Sequence, residues 1–366
     1  MKIQLCAGFL LVPLTLFASA CGSSASPPPT ATAENVPVAV STLPVVTSSP
    51  VPARRFLAGL VTDIGRLHDR SFNDLAWAGI QADVRRYHIR ARVLQSATEA
   101  EYVRNLRVLA RAHAGLIVAV GASMAGAVYR VAGQFPAQKF ALVDARPLAT
   151  PTRQISVANV ANLLFKEQDA GYVAGVLAGL MEKHRIGKAT HNTIGYLGAF
   201  PIPQVVRYLA GYVAGANRVD PTIRVLGEYA GTYSDPAHGR TIGSDQIRRG
   251  ADILFQVASE TGTGYLQAAG ARGRYAIGAD TNQSYVGPQI VTSALKRVNV
   301  AVRDVVRDVQ RGKFRPGDNV FGASNGGTGI ARPASAVPPS IVAEVHRYSQ
   351  EIARGAIVPP VSIPAR

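Results

Sequence analysis

The sequence predicts an α/β protein made of two doubly wound lobes, and three observations predict it. Short apolar runs alternate with helix-spaced segments from residue 56 to residue 311, and the alternation restarts near residue 193. Each half also opens on a strand, a polar loop and a helix that carries a small residue beside a glycine, Ala78-Gly79 in the first and Ala210-Gly211 in the second. Strands that alternate with helices form a parallel sheet covered on both faces. With 366 residues, 47% of them apolar, the chain has the length and the apolar surface for two cores.

The first half begins with the apolar run 56–62, which ends at Asp63 and Gly65, and continues into a helix through Ala76, Ile80 and Val84. Strand 92–95, helix 99–112, strand 115–120, helix 124–135 and strand 139–143 follow, the last ending at Asp144. The second half runs through strand 193–198, helix 204–217, strand 223–227, helix 238–249 and strand 252–257. Further strands are expected at 275–278 and 289–292, and a helix at 300–311. Between the halves lie residues 155–160 and a small-residue helix over 164–181. Its Ala170, Gly171, Ala174, Gly175, Ala178 and Gly179 let another backbone approach closely.

The N-terminus reads as an address followed by a tether. Lys2, the apolar stretch 5–17 and Ala18-Ser19-Ala20 directly before Cys21 form a lipoprotein signal peptide over 1–20, with Cys21 as the lipidated residue. Cys6 leaves with the signal, so the mature chain keeps one cysteine and forms no internal disulfide. Residues 22–53 hold seven prolines, many Ser and Thr, and a single charged side chain, Glu34. Segment 21–53 is therefore a tether, spanning roughly 30 Å root-mean-square as a coil. The expected plan continues with an N-terminal lobe over 54–160, a C-terminal lobe over 161–290, and segments over 291–366 that cross between the lobes and end in a helix.

The net charge is +16, from 39 Lys and Arg against 23 Asp and Glu. Thirty-two of those cations are arginines scattered along the chain, without the dense basic run or interleaved aromatics of a nucleic-acid groove, so no nucleic-acid partner is expected. There is no H-E-x-x-H or Walker A pattern, and Gly262-x-Gly264 lacks the third glycine of a dinucleotide fingerprint. Neither His pairs nor Cys clusters point to a metal. The chain is thus expected to be no enzyme and to use no cofactor and no metal.

Open α/β sheets bind ligands beyond the carboxyl ends of their strands. At those positions stand Asp63, Asp69, Ser71, Phe72 and Asn73, then Asp144, then 199–204 with Tyr208, then Glu260 to Gly264, then Asp280, Asn282 and Gln283, and Lys296. Aromatic faces, carboxylates, amides and one ammonium are the set expected around a polar ring compound that carries hydroxyls. Each has a structural alternative: Phe72 as a core contact, Asn73 as a helix cap, Asp63 and Asp280 as loop carboxylates, Tyr208 as a half-buried tyrosine. Lys296 fits decoration least, being one of only seven lysines in an arginine-rich chain.

The segments Gly59-Leu60-Val61-Thr62-Asp63-Ile64-Gly65 and Asp69-Arg70-Ser71-Phe72-Asn73, with Ala76-Trp77-Ala78-Gly79, resemble the opening of the basic membrane protein family, the PnrA-like nucleoside-binding lipoproteins of bacterial ABC importers. The likeness continues in order through Phe140 to Asp144, Asn159-Val160, Phe165, Glu167, Gly171 to Gly175, Gly211 to Gly215, Gly250 to Phe255, Gly262 to Gly264, Ile277 to Gln283 and Thr292 to Lys296, and covers roughly 56–331.

The resemblance implies a type I periplasmic-binding-protein fold, two Rossmann-like lobes joined by a hinge. It implies a purine nucleoside, such as adenosine, guanosine or inosine, in the cleft, ABC permease subunits as partners, a lipid anchor in the membrane, an extracytoplasmic location and a monomer. It places the base between Phe72 and Tyr208, with Asn73 and Asp144 bonding the base, Asp280 and Lys296 bonding the ribose as a pair, and Gly262 to Gly264 supplying close backbone. A sensor or surface lipoprotein of the same fold, without transport, is the alternative. This chain departs from the family pattern at Gly121-Ala122, where an aromatic is usual, and at Tyr208, where Phe is commoner. Asn282 replaces an Asp, Arg66 a glycine and His68 an acidic or polar residue.

Overall fold

A computed structural model describes residues 56–64 and 67–363. The signal peptide 1–20, the tether 21–53 with Cys21, and Arg66 lie outside the described residues. In chain order the strands are β1 (Leu57–Val61), β2 (Arg90–Leu94), β3 (Leu116–Val120), β4 (Phe140–Val143), β5 (Leu148–Thr150), β6 (Arg153–Gln154), β7 (Val160–Phe165), β8 (Thr193–Gly198), β9 (Arg224–Tyr229), β10 (Ile253–Val257), β11 (Tyr275–Asp280), β12 (Ile290–Lys296), β13 (Gly317–Phe321) and β14 (Thr328–Ile330). The helices are α1 (Phe72–Tyr87), α2 (Glu101–Arg111), α3 (Ala125–Gln134), α4 (Glu167–Lys183), α5 (Pro203–Val219), α6 (Pro236–Arg248), α7 (Ser259–Ala271), α8 (Val298–Gln310) and α9 (Pro339–Ala353).

Two six-stranded sheets result. The first has the order β13-β7-β4-β3-β1-β2 and is parallel throughout. The second has the order β14-β12-β11-β10-β8-β9 and is parallel except for β14. The central strands are buried on both faces, as β3 is at all five residues. That is why they read as continuous apolar runs rather than alternating ones.

The expected boundaries at 160/161 and 290/291 each fall inside or beside a strand. β7 extends the first sheet to Phe165, and β12 continues the second to Lys296. The interlobe helix correspondingly starts at Glu167, not 164, because the apolar stretch before it pairs with β4 and β13. Helix α7 escaped the sequence pattern, since three glycines in SETGTGYLQAAGA depress its helix propensity. Packing against α6 holds it: a Cβ at Gly239 would lie 1.9 Å from the Thr261 carbonyl oxygen.

The chain passes between the sheets three times, after β7, after β12, and between β13 and β14. The three crossings are bonded to one another. Lys166 N–H donates to the Phe321 carbonyl at 2.8 Å, Arg297 N–H to the Gly327 carbonyl at 2.8 Å, and the Arg297 guanidinium to the Gly326 carbonyl at 2.9 Å. Phe165 stacks on Phe321 with centroids 5.4 Å apart. Three adjacent strands of chain, each short and cross-linked, make the hinge between the lobes.

The small-residue pattern of α4 is met by a matching one on α5. A Cβ at Gly171 would lie 2.1 Å from the Tyr208 carbonyl oxygen, one at Gly175 2.0 Å from that of Tyr212, and one at Gly211 2.2 Å from that of Gln168. The two backbones can approach this closely only where side chains are absent. Gly79 on α1 faces Asn299 of α8 in the first lobe in the same way, at 2.6 Å.

Candidate ligand-binding site

The carboxyl ends of both sheets bring the chemistry together. β4 leads into Asp144, β11 ends in Asp280 and β12 ends in Lys296. Asp144 and Asp280 both have left-handed backbone, φ 69° and 61°, a conformation that Asp tolerates better than most residues and that turns the chain sharply off the strand.

Lys296 is the centre of the cluster and is only 3% exposed. Its Nζ forms an ion pair with Asp144 of the first lobe and lies 3.1 Å from Glu167 Oε1 at the start of α4. The same ammonium sits 5.2 Å from the centroid of Phe72 and 5.1 Å from that of Phe165. Glu167 is also fully buried, and its other oxygen accepts from Arg207 Nε at 2.6 Å. Burial works against the Lys296 ammonium, but Asp144, Glu167 and Asp280 more than offset it and hold it above the usual lysine range. For Asp144 burial is the largest influence, pushing it up to about 7 against the pull of Lys296, with Glu167 adding to the rise.

Asp280 is held differently from expectation. The family resemblance pairs it with Lys296, whereas the closest contacts of Lys296 are Asp144 and Glu167. Asp280 instead accepts from the Tyr208 hydroxyl at 3.0 Å and from Ser71 Oγ of the opposite lobe at 3.4 Å. Lys296 still acts on it through space, lowering a carboxyl that burial raises.

Phe72 and Asn73 are placed by the start of α1. Asp69 accepts from the backbone N–H groups of Ser71, Asn73 and Asp74 at 2.9, 2.8 and 3.1 Å, so it serves the orphan donors of that helix. Asn73 is 2% exposed and donates from Nδ2 to Asp63 at 2.9 Å and to Asp69 at 3.2 Å.

Tyr208 lies in the same cluster but is 1% exposed, its ring tilted 69° against Phe255 at 6.1 Å. It presents its hydroxyl to Asp280. Gly262 and Gly264 lie within α7, and their close approaches are to protein: a Cβ would meet Gln256 Oε1 at 1.8 Å and the Pro236 carbonyl at 1.9 Å. Among the described residues, no group of His, Cys, Asp and Glu could hold a metal ion. A surface groove between 332–337 and α9, lined by Val337, Val342 and His346, shares no residue with the cluster.

Sequence reasoning passed over Arg207 and Tyr233 here, and named Glu167 and Gln204 without giving either a role. Glu167 and Arg207 complete the charge cluster, and the Gln204 side chain donates across the cleft to the Asp144 carbonyl. Tyr233 pairs with Phe200 at 5.2 Å; its ring keeps 40% of its surface in solvent, yet burial and then Asp280 push its hydroxyl up to about 12. The signal for Glu167 was a carboxylate opening an otherwise apolar helix. Phe200 and Tyr233 carried only their positions after strands.

The model of the PnrA-like family of ABC transporter substrate-binding proteins matches residues 56–366. The chain belongs to that family. The match extends the sequence resemblance, which reached 331, to the end of the chain. A family of substrate-binding proteins is not an enzyme family. The ABC transporter nucleoside-binding protein BmpA of Lactococcus lactis is 30% identical to this PnrA-like chain over 297 residues, covering 75% of it and 80% of BmpA. A lipoprotein of Pyrococcus furiosus is 29% identical over 279 residues, covering 73% and 68%. Among solved structures, an ABC transporter solute-binding protein from Aeropyrum pernix superposes with a TM-score of 0.73 at 26% identity, covering 83% of this chain and 94% of that one. The two mainly parallel sheets and three bonded crossings of this PnrA-like chain are the type I periplasmic-binding-protein fold.

Proposed function

We propose that this protein is the extracytoplasmic, lipid-anchored receptor of an ABC importer and that, as a monomer, it captures a purine nucleoside between its lobes for delivery to the permease. The observation that carries the reading is Lys296, a buried ammonium from one lobe that meets Asp144 of the other over the Phe72 ring. Phe72 and Tyr208 flank the base, Asn73 and Asp144 bond its edge, and Asp280 and Lys296 take the ribose hydroxyls. The name of the Lactococcus lactis relative supports a nucleoside ligand. The Ala18-Ser19-Ala20-Cys21 stretch and the name of the Pyrococcus furiosus relative support lipid attachment at Cys21. No helix among the described residues is long and apolar enough to cross a membrane.

Calorimetric titration of residues 54–366, refolded to strip carried ligand, against purine nucleosides, uridine, free bases and ribose tests the ligand. Tight binding of purine nucleosides with weak uridine and ribose is expected; no heat from any nucleoside overturns the reading. Incorporation of labelled palmitate into the full chain, lost in Cys21→Ser, is the expected result for the anchor.

A further inference from the structure

We propose that this site selects bases carrying an exocyclic amino group, because the groups that the first lobe turns toward the base are two hydrogen-bond acceptors, Asn73 Oδ1 and Asp144 Oδ1. The inference rests on the nucleoside reading and adds to it which nucleosides are preferred.

The orientation of the Asn73 amide is fixed by its neighbours. Asp63 and Asp69 are carboxylates, which only accept, so the donor Nδ2 must face them and Oδ1 must face away. Asn73 is 2% exposed, and its Oδ1 has no partner in the protein. Asp144 is in the same state: Oδ2 is engaged by Lys296, while Oδ1 is buried without a partner. Buried polar atoms are rarely left unbonded, so both oxygens call for donors from outside the chain.

Both oxygens belong to side chains held at the carboxyl end of the first sheet. Asp63, which holds Asn73, follows β1, and Asp144 follows β4, with only β3 between them in the sheet. β3 leads into Gly121, whose missing side chain makes room for the Asp63 carboxylate, since a Cβ there would lie 2.9 Å from Asp63 Oδ2. Lys296 links the two sides, touching Asp144 while lying over Phe72, the neighbour of Asn73.

A ligand edge that meets two acceptors must offer two donors. Guanine does so with its ring N–H and amino group, and adenine with the two hydrogens of its amino group. Hypoxanthine offers one ring N–H beside a carbonyl, which leaves one protein acceptor unserved or opposed by oxygen.

The experiment is titration of residues 54–366 at pH 8, where Asp144 is ionised, with guanosine, adenosine and inosine. Inosine should bind about tenfold or more weakly than the better of the two amino nucleosides. In Asp144→Asn the amide oxygen stays toward the Lys296 ammonium and places its NH₂ where Oδ1 stood, a donor in place of an acceptor. All affinities fall, but the ratio of inosine to guanosine affinity should rise. Equal binding of the three nucleosides by the natural chain, or an unchanged ratio in Asp144→Asn, overturns the inference and leaves the nucleoside reading standing. Failure of the natural chain to bind any nucleoside overturns both.

Discussion

Lys296, the last residue of β12, forms an ion pair with Asp144, the residue after β4, and so joins the two lobes at the carboxyl ends of their sheets. Three carboxylates, Asp144, Glu167 and Asp280, share this buried space with two cations, Lys296 and Arg207.

Removing the ammonium leaves carboxylates that burial already disfavours. Lys296→Met should therefore cost about 3–5 kcal/mol of stability as well as ligand binding. Adding Glu167→Gln to Lys296→Met removes one of the stranded charges and should recover part of that loss. Chemical denaturation of the two single variants and the double variant measures the coupling, and strictly additive changes would contradict the shared-charge account.

The α4/α5 contact separates stability from binding. Gly171→Ala and Gly175→Ala each place a methyl about 2 Å from a carbonyl oxygen of α5, and each should cost about 1–3 kcal/mol or more. Only Gly171 faces Tyr208, whose hydroxyl reaches Asp280. Gly175 faces Tyr212, which packs on Phe255 instead. Ligand affinity should fall in Gly171→Ala and hold in Gly175→Ala; equal losses would detach Tyr208 from the site.

Most of the architecture was legible because a strand buried on both faces leaves an unbroken apolar run, and such runs marked β1, β3, β4, β8 and β10 to within a residue or two. Helix α7 was not legible, since its glycines serve packing against α6 and Gln256 that no local pattern encodes. Within the site, strand ends located Asp144, Asp280 and Lys296. Their pairing did not follow from sequence, because Lys296 meets Asp144 and Glu167 only once two chain crossings set the lobes side by side. Phe200 and Tyr233 find each other across a contact between two loops, a relation without sequence spacing.

A further cross-lobe contact lies at the mouth of the cleft. The Arg70 guanidinium sits 5.4 Å from the Tyr285 ring, which is 49% exposed. Exposed cation–π pairs contribute about 0.5–1 kcal/mol, so the contact favours the closed form modestly. Tyr285→Ala should speed ligand release about two- to fivefold and leave the association rate unchanged. Stopped-flow displacement reads both rates, and an unaltered release rate would show that the pair does not hold the lobes closed.

Glu182, in the last turn of α4, gives the second lobe a pH-dependent stability of its own. It is 3% exposed; Oε2 accepts the Asn192 N–H at 3.0 Å, and Oε1 has no hydrogen-bond partner. Burial, then the nearby Asp252, pushes its carboxyl up to about 8, against the Asn192 bond and Arg274. The position at a helix C-terminus also disfavours a negative charge. In the unfolded chain this carboxyl ionises near its ordinary value of 4.5, whereas the folded chain keeps the proton up to about pH 8. Between those values the folded state binds more protons, so this group's contribution to stability falls as pH rises and is fully lost above about 8. Glu182→Gln keeps an acceptor for Asn192 and cannot ionise. Relative to the natural chain it should be near neutral at pH 4.5 and more stable by a few kcal/mol, of order 2–4, at pH 9. Denaturation midpoints of both proteins across that range test the sign, and parallel pH profiles would mean that Glu182 titrates in the folded chain as it does in the unfolded one.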